Sequence, residues 1–370
     1  MPLVNFANLD FDQIKTSIVD YLRSNSNFTD YDFEGSNLSQ IVDVLAYNTY
    51  ITSYNANMVS NEVFLDSATL RENVVSLARN IGYVPRSKKA ARANITFSLD
   101  ATEYTNLPET VTLNSGTVVS TSSFRRENFV FSLLDDITVP VLDNIALFDN
   151  VDVYEGTYVT TNFTVNSLQP NQRFIIPNSR VDVSTIRVLI KPNQNSDINR
   201  KYTQASSLFN VTSESPVYWV QEVEDERYEL IFGDGVFGHK LEDSNYIQVS
   251  YLITNGEDGN GIDNFDFIGK LTSSREATAL SSGISFVTTN TTAFGGASIE
   301  SVESVKKYAA QIYASQHRAV TAGDYETLIP SIYAETESVS AFGGEELSPP
   351  QFGKVYISIK PINGTYLSNT

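Results

Sequence analysis

The sequence contains no cysteine. This excludes a disulfide scaffold, thiolate catalysis, zinc–cysteine sites and iron–sulfur ligation, and leaves the redox compartment open. Histidine is almost as scarce: His239 and His317 are the only two, too few for a multi-histidine metal centre. No segment approaches the roughly 18 apolar residues of a membrane span. The opening Met1-Pro2-Leu3-Val4-Asn5 lacks the basic and apolar regions of a signal peptide, so the expectation is a soluble protein that does not use that route. Basic residues are outnumbered, with 25 Lys and Arg against 44 Asp and Glu and a formal net charge of −19. Such a surface repels phosphate backbones, so no nucleic-acid partner is expected.

What is present is enough apolar material for a core. Of 370 residues, 41% are hydrophobic and 19% charged, a balance that argues against general disorder. The length suggests two or three domains. The polar remainder is rich in Asn, Ser and Thr, as on β-rich surfaces.

Residues 6–83 read as helical. Asp10 with Gln13 forms a capping box, and Phe11, Ile14, Ile18 and Leu22 recur at helical spacing. Residues 25–32 read as a loop. A second helix, capped by Ser36 or Asn37, has Leu38, Ile41, Val42 and Leu45 on an expected buried stripe and runs to about Ser60. Its second half places Asn48, Thr49, Thr52, Asn55 and Asn57 where a lone helix carries Leu or Ala. A third helix is expected from Asp66 or Ser67, burying Leu70, Val74, Leu77 and Ile81, with Gly82 as a left-handed stop.

From Ala93 to about Thr289 the period is two. Ile95/Phe97/Leu99, Ile186/Val188/Ile190, Tyr228/Leu230/Phe232 and Ile247/Val249/Tyr251/Ile253 alternate as strands with one buried face. Helix returns after Gly295-Gly296, with Ile299, Val302, Val305, Ala309, Ile312 and Tyr313 on one face. Thr321 with Asp324 makes a second capping box, opening a short helix that Pro330 ends. One strand, Val355/Ile357/Ile359, follows a loop. A single strand cannot bury its own face, so either partners complete it or the chain is the N-terminal part of a longer one.

The fold class expected is α+β. An N-terminal helical bundle segment (1–85) precedes a central antiparallel β region (90–290) with a β lobe expected at about 125–215. A helical segment (296–340) and the start of a further β-containing domain (351–370) follow.

Several motifs bear on chemistry. Gly233-Asp234-Gly235-Val236-Phe237-Gly238 matches G-x-G-x-x-G, but a strand rather than a helix follows. The reading is a Gly-rich connection between strands, not a dinucleotide site. Asn255 to Gly261 resembles a calcium loop, yet the position five from Asp258 is Ile262, so a tight turn is favoured. No G-x-S-x-G elbow pairs with either histidine. Glu222, Glu224, Asp225 and Glu226 gather beside Tyr218 and Trp219, which would suit sugar stacking, but the favoured reading is a solvated acidic loop beside a core aromatic. The polar half of the second helix has two readings: a bundle seam supplied partly by other chains, or a solvated helix end. The candidate partner-interface residues are Leu38, Ile41, Leu45, Asn48, Thr52 and Asn55.

Four segments in order resemble the baseplate J-like wedge proteins of contractile-tailed bacteriophages. They are Phe33–Ile41; Glu62–Ala68 with Arg71, Ala78, Arg79 and Ile81-Gly82-Tyr83; Phe232–Gly238 with Tyr251, Asn255-Gly256 and Gly259-Asn260-Gly261; and Gly295-Gly296 through Glu300 and Glu303 to His317–Glu326. The Asn-rich N-terminal helices look most like the large wedge subunits of T-even-type phages. The resemblance implies a structural role for Gly233, Asp234, Gly235, Gly238, Arg318, Thr321, Asp324 and Tyr325. It also implies a protein that is not an enzyme and has no cofactor or metal.

The implied location is the tail baseplate of the virion, assembled in the host cytoplasm, with no membrane partner. Copies would pair and close into a six-fold inner ring around the tail tube. The implied partners are a second copy, other wedge subunits and a sheath-initiator protein, and the ring would widen when the sheath contracts. The alternatives are a receptor-binding or fibre-attachment tail protein and a cell-wall hydrolase working near Trp219.

Overall fold

A computed structural model describes residues 10–24, 37–102, 104, 108–121, 124, 126–169, 171–205, 210–273, 279–280, 282–316, 318–333 and 336–361. The fold is mixed α+β and divides into two compact units: Met1–Tyr83 with Val302–Tyr313, and Val84–Ser301 with Ala314–Thr370. The expected loop at 25–32, the cap at Ser36 and His317 lie outside the described residues.

The first unit is helical. Helix α1 (Phe11–Arg23) starts at Asp10, whose carboxylate accepts from the backbone of Asp12 and Gln13 at 3.0 and 3.1 Å. It buries Ile14. Lys15 meets Asp43 of α2 (Asn37–Glu62) at 2.6 Å. Helix α3 is Arg71–Asn80, so it starts later than Asp66 or Ser67. The reason is tertiary: the Glu62 carboxylate accepts from the backbone N–H and hydroxyl of Thr69 at 2.7 and 2.6 Å, and from Asn73 Nδ2 at 2.8 Å. Those bonds hold 63–70 out of the helix. Leu70 is accordingly exposed, and Val74, Val75 and Ala78 are the buried residues of α3.

Gly82 ends α3 as expected. Its φ is +84°, its N–H donates to Arg79 O at 2.9 Å, and Tyr83 N–H donates to Ala78 O at 3.0 Å. This double bond pattern satisfies the last helical carbonyls, and glycine accepts the left-handed φ without a Cβ clash. Helix α4 (Val302–Ser315) buries Val305, Ala309 and Ile312, and its Lys306 Nζ donates to Asp66 O at 3.4 Å. Tyr313, expected on that face, is exposed.

Among its described residues the second unit holds two large sheets, each with its own core, and a two-stranded hairpin. Among the described residues the first sheet orders its strands Asp266–Phe267, Gly116–Ser120, Val130–Leu133, Ile145–Glu155, Ile137–Leu142, Thr110–Leu113, Leu271–Ser273 and Ala279–Leu280. Arg92–Asp100 pairs antiparallel with Ile145–Glu155 on one side and Thr288–Phe294 on the other. Its alternation is as read: Ala93, Ile95, Phe97 and Leu99 point inward. Phe97 stacks on Phe148 at 4.8 Å between ring centroids, and each such buried ring contributes about 1.5–3 kcal/mol.

The second sheet runs Thr157–Thr164, Tyr246–Ile253, Val181–Lys191, Arg200–Gln204, Val217–Glu222, Tyr228–Phe232 and Phe174–Ile175. It is antiparallel except for Arg200–Gln204 beside Val217–Glu222. Ile186, Val188, Ile190, Tyr228, Leu230, Ile247, Val249 and Tyr251 fill its core, again on the expected alternation. The chain passes from one sheet to the other at Gly156, where φ is +125° and a Cβ would stand 2.4 Å from Ile253 O.

Helix α5 (Ala322–Ile332) then packs with a hairpin of Thr336–Gly343 and Val355–Pro361. Pro330 sits inside α5 instead of ending it, since in the last turn it removes only one helical bond. The strand at 355–361 is not single: 336–343 pairs with it.

Candidate functional site

The candidate interface lies on α2. Leu38, Ile41, Leu45, Asn48, Thr52 and Asn55 step by three and four residues, which places them on one heptad seam. Leu38 is half-buried, and the other five are exposed, Ile41 by 54% and Leu45 by 51%. The expected buried stripe is therefore wrong for Ile41 and Leu45. Val42, Ala46, Asn57 and Asn61 are the buried residues of α2. The reason is that α2 is apolar nearly all round: Val44, Tyr47, Ile51, Tyr54, Met58 and Val59 are exposed too. A lone helix in water does not carry such a surface without something to cover it.

Several polar side chains of α2 bond within the helix. Thr49 and Thr52 hydroxyls donate to the carbonyls of Leu45 and Asn48 at 2.9 and 2.8 Å, the back-bonding that Thr uses inside helices. Asn61 Nδ2 donates to Asn57 O at 2.8 Å.

The Gly-rich loop follows strand Tyr228–Phe232 and closes on itself. Asp234 Oδ1 accepts from Val236 and Phe237 N–H at 2.8 and 2.9 Å. Those two bonds, Phe237 first, hold its carboxyl below the usual range. Gly235 N–H donates to Gly238 O at 3.1 Å, and Gly238 N–H to Thr212 O at 3.0 Å. A Cβ on Gly233 would stand 2.2 Å from the Gly238 carbonyl, so only glycine permits that crossing. The amides a phosphate would need are occupied by Asp234, and the chain continues into strand Tyr246–Ile253. The loop presents exposed Val236 and Phe237. His239 Nδ1 meets the Tyr202 hydroxyl at 2.9 Å.

The restart at 318–325 has the expected cap. Thr321 Oγ1 accepts from Asp324 N–H at 3.3 Å. Asp324 Oδ2 accepts from Thr321 and Val320 N–H at 2.8 and 3.0 Å. These backbone donors, Thr321 first, lower its carboxyl. Arg318 is exposed and bonds Gln316, while Tyr325 is half-buried.

The acidic cluster does not assemble as a carboxylate pair. Strand alternation turns Tyr218 and Glu222 inward, leaving Glu224, Asp225 and Glu226 exposed in a short 3-10 turn. Ile262 is buried in the first core, so the calcium-type loop lacks its third donor, and Asn260 instead exchanges two 2.8 Å bonds with Gly296. Among the described residues no cluster of three or more His, Asp or Glu is placed to hold a metal ion.

Two buried acids, Glu300 and Asp182, fix the segment at 86–91, and a third, Glu155, holds the turn after strand Tyr246–Ile253. Glu300 Oε2 accepts from Arg86 N–H at 3.0 Å, and Asp182 Oδ2 from Ala90 N–H at 2.8 Å. Glu155 Oε2 accepts from Thr254 Oγ1 at 2.5 Å and Asn255 N–H at 3.0 Å. Lys89 and Ala297 exchange backbone bonds of 2.9 and 3.0 Å. Burial raises the carboxyls of Glu155 and Asp182 against the lowering effect of these donors. Glu155 and Asp182 lie at strand ends, where a buried acid looks like a surface residue in sequence; Glu300 lies in the fourth segment of the resemblance, but its bond to Arg86 is not readable there.

Residues 10–83 match the family described as "Baseplate wedge protein gp6-like, helical domain". Residues 321–370 match "Baseplate structural protein gp6, C-terminal domain I". The chain is 28% identical over 392 residues to the baseplate wedge protein gp6 of Enterobacteria phage T4, a match covering 98% of this chain and 55% of that protein. It thus spans about half the length of the curated relative it matches. A chain of the six-fold symmetrised anti-feeding prophage (AFP) baseplate aligns at a TM-score of 0.31 and 11% identity, over 88% of this chain and 57% of that one. The matched families and the curated relative are described as baseplate proteins.

Proposed function

We propose that the chain is a structural subunit of a phage tail baseplate wedge. In this reading it acts through surfaces and not through chemistry. The observation that carries it is the exposed apolar seam of α2, Ile41 and Leu45 with Val44, Ile51 and Met58 beside it. The seam lies inside the segment similar to the gp6-like helical domain. Helices of neighbouring subunits would cover it, with Asn48, Thr52 and Asn55 setting register among otherwise apolar contacts.

The finer reading has copies pairing through these helices and closing into a six-fold ring around the tail tube. Other wedge subunits and a sheath initiator dock on that ring, which couples baseplate rearrangement to sheath contraction. A closed ring of pairs needs two different self-contacts. In this reading the α2 seam supplies one, and α5 with its hairpin would supply the other. The Gly233–Gly238 loop and the Thr321–Asp324 cap serve here as rigid structural motifs of baseplate-J-like character.

The test is assembly of wedges from co-expressed subunits with Leu45→Asp or Ile41→Asp. The proposal expects the folded variant to be lost from the wedge complex. Intact wedges containing the variant would contradict the bundle assignment.

A further inference from the structure

The outward face of the second sheet carries the chain's single tryptophan, set among groups that are held in place. Strand Val217–Glu222 turns Tyr218, Val220 and Glu222 inward, so Val217, Trp219 and Gln221 share the outer face. On the adjacent strand Ile231 stands opposite Trp219, and Glu229 opposite Gln221. Trp219 is half-buried and Ile231 exposed. The far edge of the indole reaches the Gly-rich loop, where Cη2 lies 3.4 Å from the place a Cβ on Gly238 would take. Beside Gly238 the loop presents Phe237, 45% exposed, with its N–H fixed by Asp234.

Two residues along the strand, Glu229 anchors a pair of polar heads. Arg173 Nε and Nη2 donate to its Oε1 and Oε2 at 3.0 Å each, and Gln221 Nε2 donates to the same Oε2 at 2.8 Å. The guanidinium and the amide thus sit side by side on one carboxylate. Among the described residues nothing bonds Arg173 Nη1 or Gln221 Oε1. One donor and one acceptor are left over, both immobilised on the face that carries Trp219. The Arg173–Glu229 pair cancels its own charge, and Glu224 Oε2, 3.9 Å from Arg173 Nη2, adds an acidic edge.

We propose that this face binds a neutral polysaccharide, a straight β-1,4-linked chain of pyranose rings with equatorial hydroxyls. Such rings have flat apolar C–H faces, which stack on Trp219 and Phe237 as bases do on aromatic platforms. Their edge hydroxyls both donate and accept, and so satisfy Gln221 Oε1 and Arg173 Nη1 together. Because Glu229 fixes both heads beforehand, little ordering cost is left for binding. Residues two apart on a strand are separated by about 7 Å, more than one sugar ring covers. Trp219 and Gln221 therefore engage neighbouring rings of a chain rather than a single sugar. Anionic chains are disfavoured by Glu224 and by the net charge of −19. Glu229 is engaged by three donors, so the site holds the chain without cleaving it.

Trp219 is the only tryptophan, so its emission reports the site without a label. The test is titration of the full chain with cellohexaose and with chitohexaose, read by Trp219 fluorescence and, for variants without the indole, by calorimetry. The expected result is a saturable change in emission, half-complete at about millimolar sugar and insensitive to salt. Trp219→Ala should abolish the heat of binding. Gln221→Ala and Phe237→Ala should each weaken binding about fivefold or more. Phe237 is exposed, so Phe237→Ala, checked by a cooperative melt, decides even if Trp219→Ala fails to fold. No emission change with either hexasaccharide would overturn the proposal. So would binding that survives Trp219→Ala, or binding confined to polygalacturonate and abolished by salt, the mark of charge adsorption alone.

Discussion

The Glu62 carboxylate, at the end of α2, accepts both the N–H and the hydroxyl of Thr69, at 2.7 and 2.6 Å. Burial alone would raise this acid, but donors from Thr69, Asn73 and Leu70 outweigh it and lower the carboxyl to about 2. The folded value lies below the unfolded one, near 4.5. The stabilisation is therefore fully present above about pH 4.5 and is lost as pH falls toward 2. Glu62→Gln should flatten that acid limb and cost about 1 kcal/mol at neutral pH, the scale of a lost cap. Thermal melts from pH 2 to 7 check it; an unchanged acid limb would contradict the assignment.

Gly156→Ala should destabilise the second unit by about 1–3 kcal/mol, because φ is +125° and the new Cβ would meet Ile253 O at 2.4 Å. Urea unfolding followed at Trp219 reads this directly. A variant as stable as the parent would mean that the two sheets do not hand over there.

Removing the cap of α5 tests a different scale. Thr321→Ala leaves Asp324 N–H without its side-chain acceptor and should cost about 0.5–2 kcal/mol of local stability. Faster amide exchange confined to α5 and its hairpin is the expected outcome.

Ile41→Asp and Ala46→Asp separate interface from core on one helix. Ile41 is 54% exposed and Ala46 fully buried. The first should change the melting of the isolated chain by no more than about 0.5 kcal/mol, and the second should unfold α2's surroundings at a cost of about 3 kcal/mol or more. Equal losses would contradict the assigned faces.

Local chemistry was legible in the sequence where it needed no distant partner. Asp10 and the Thr321–Asp324 pair cap their helices because each acts within three residues. Strand alternation put Ile95, Phe97 and Leu99 inside because a pleat has only two faces. The start of α3 was not legible, because Glu62 sets it from the preceding helix. Nor was the buried face of α2, since a helix apolar all round offers no single moment to read. The acids Glu155, Asp182 and Glu300 gain their meaning only when 86–91, 182 and 255–300 come together. Tyr218 and Trp219 looked like neighbours in one site, yet successive strand residues face opposite ways.

The central claim is a place in the baseplate. Immunogold electron microscopy of phage particles, using antibody against this chain before and after sheath contraction, tests it most directly. The account predicts gold confined to the baseplate in both states. Gold at fibre tips, or on no particle even after disruption exposes buried epitopes, would contradict it.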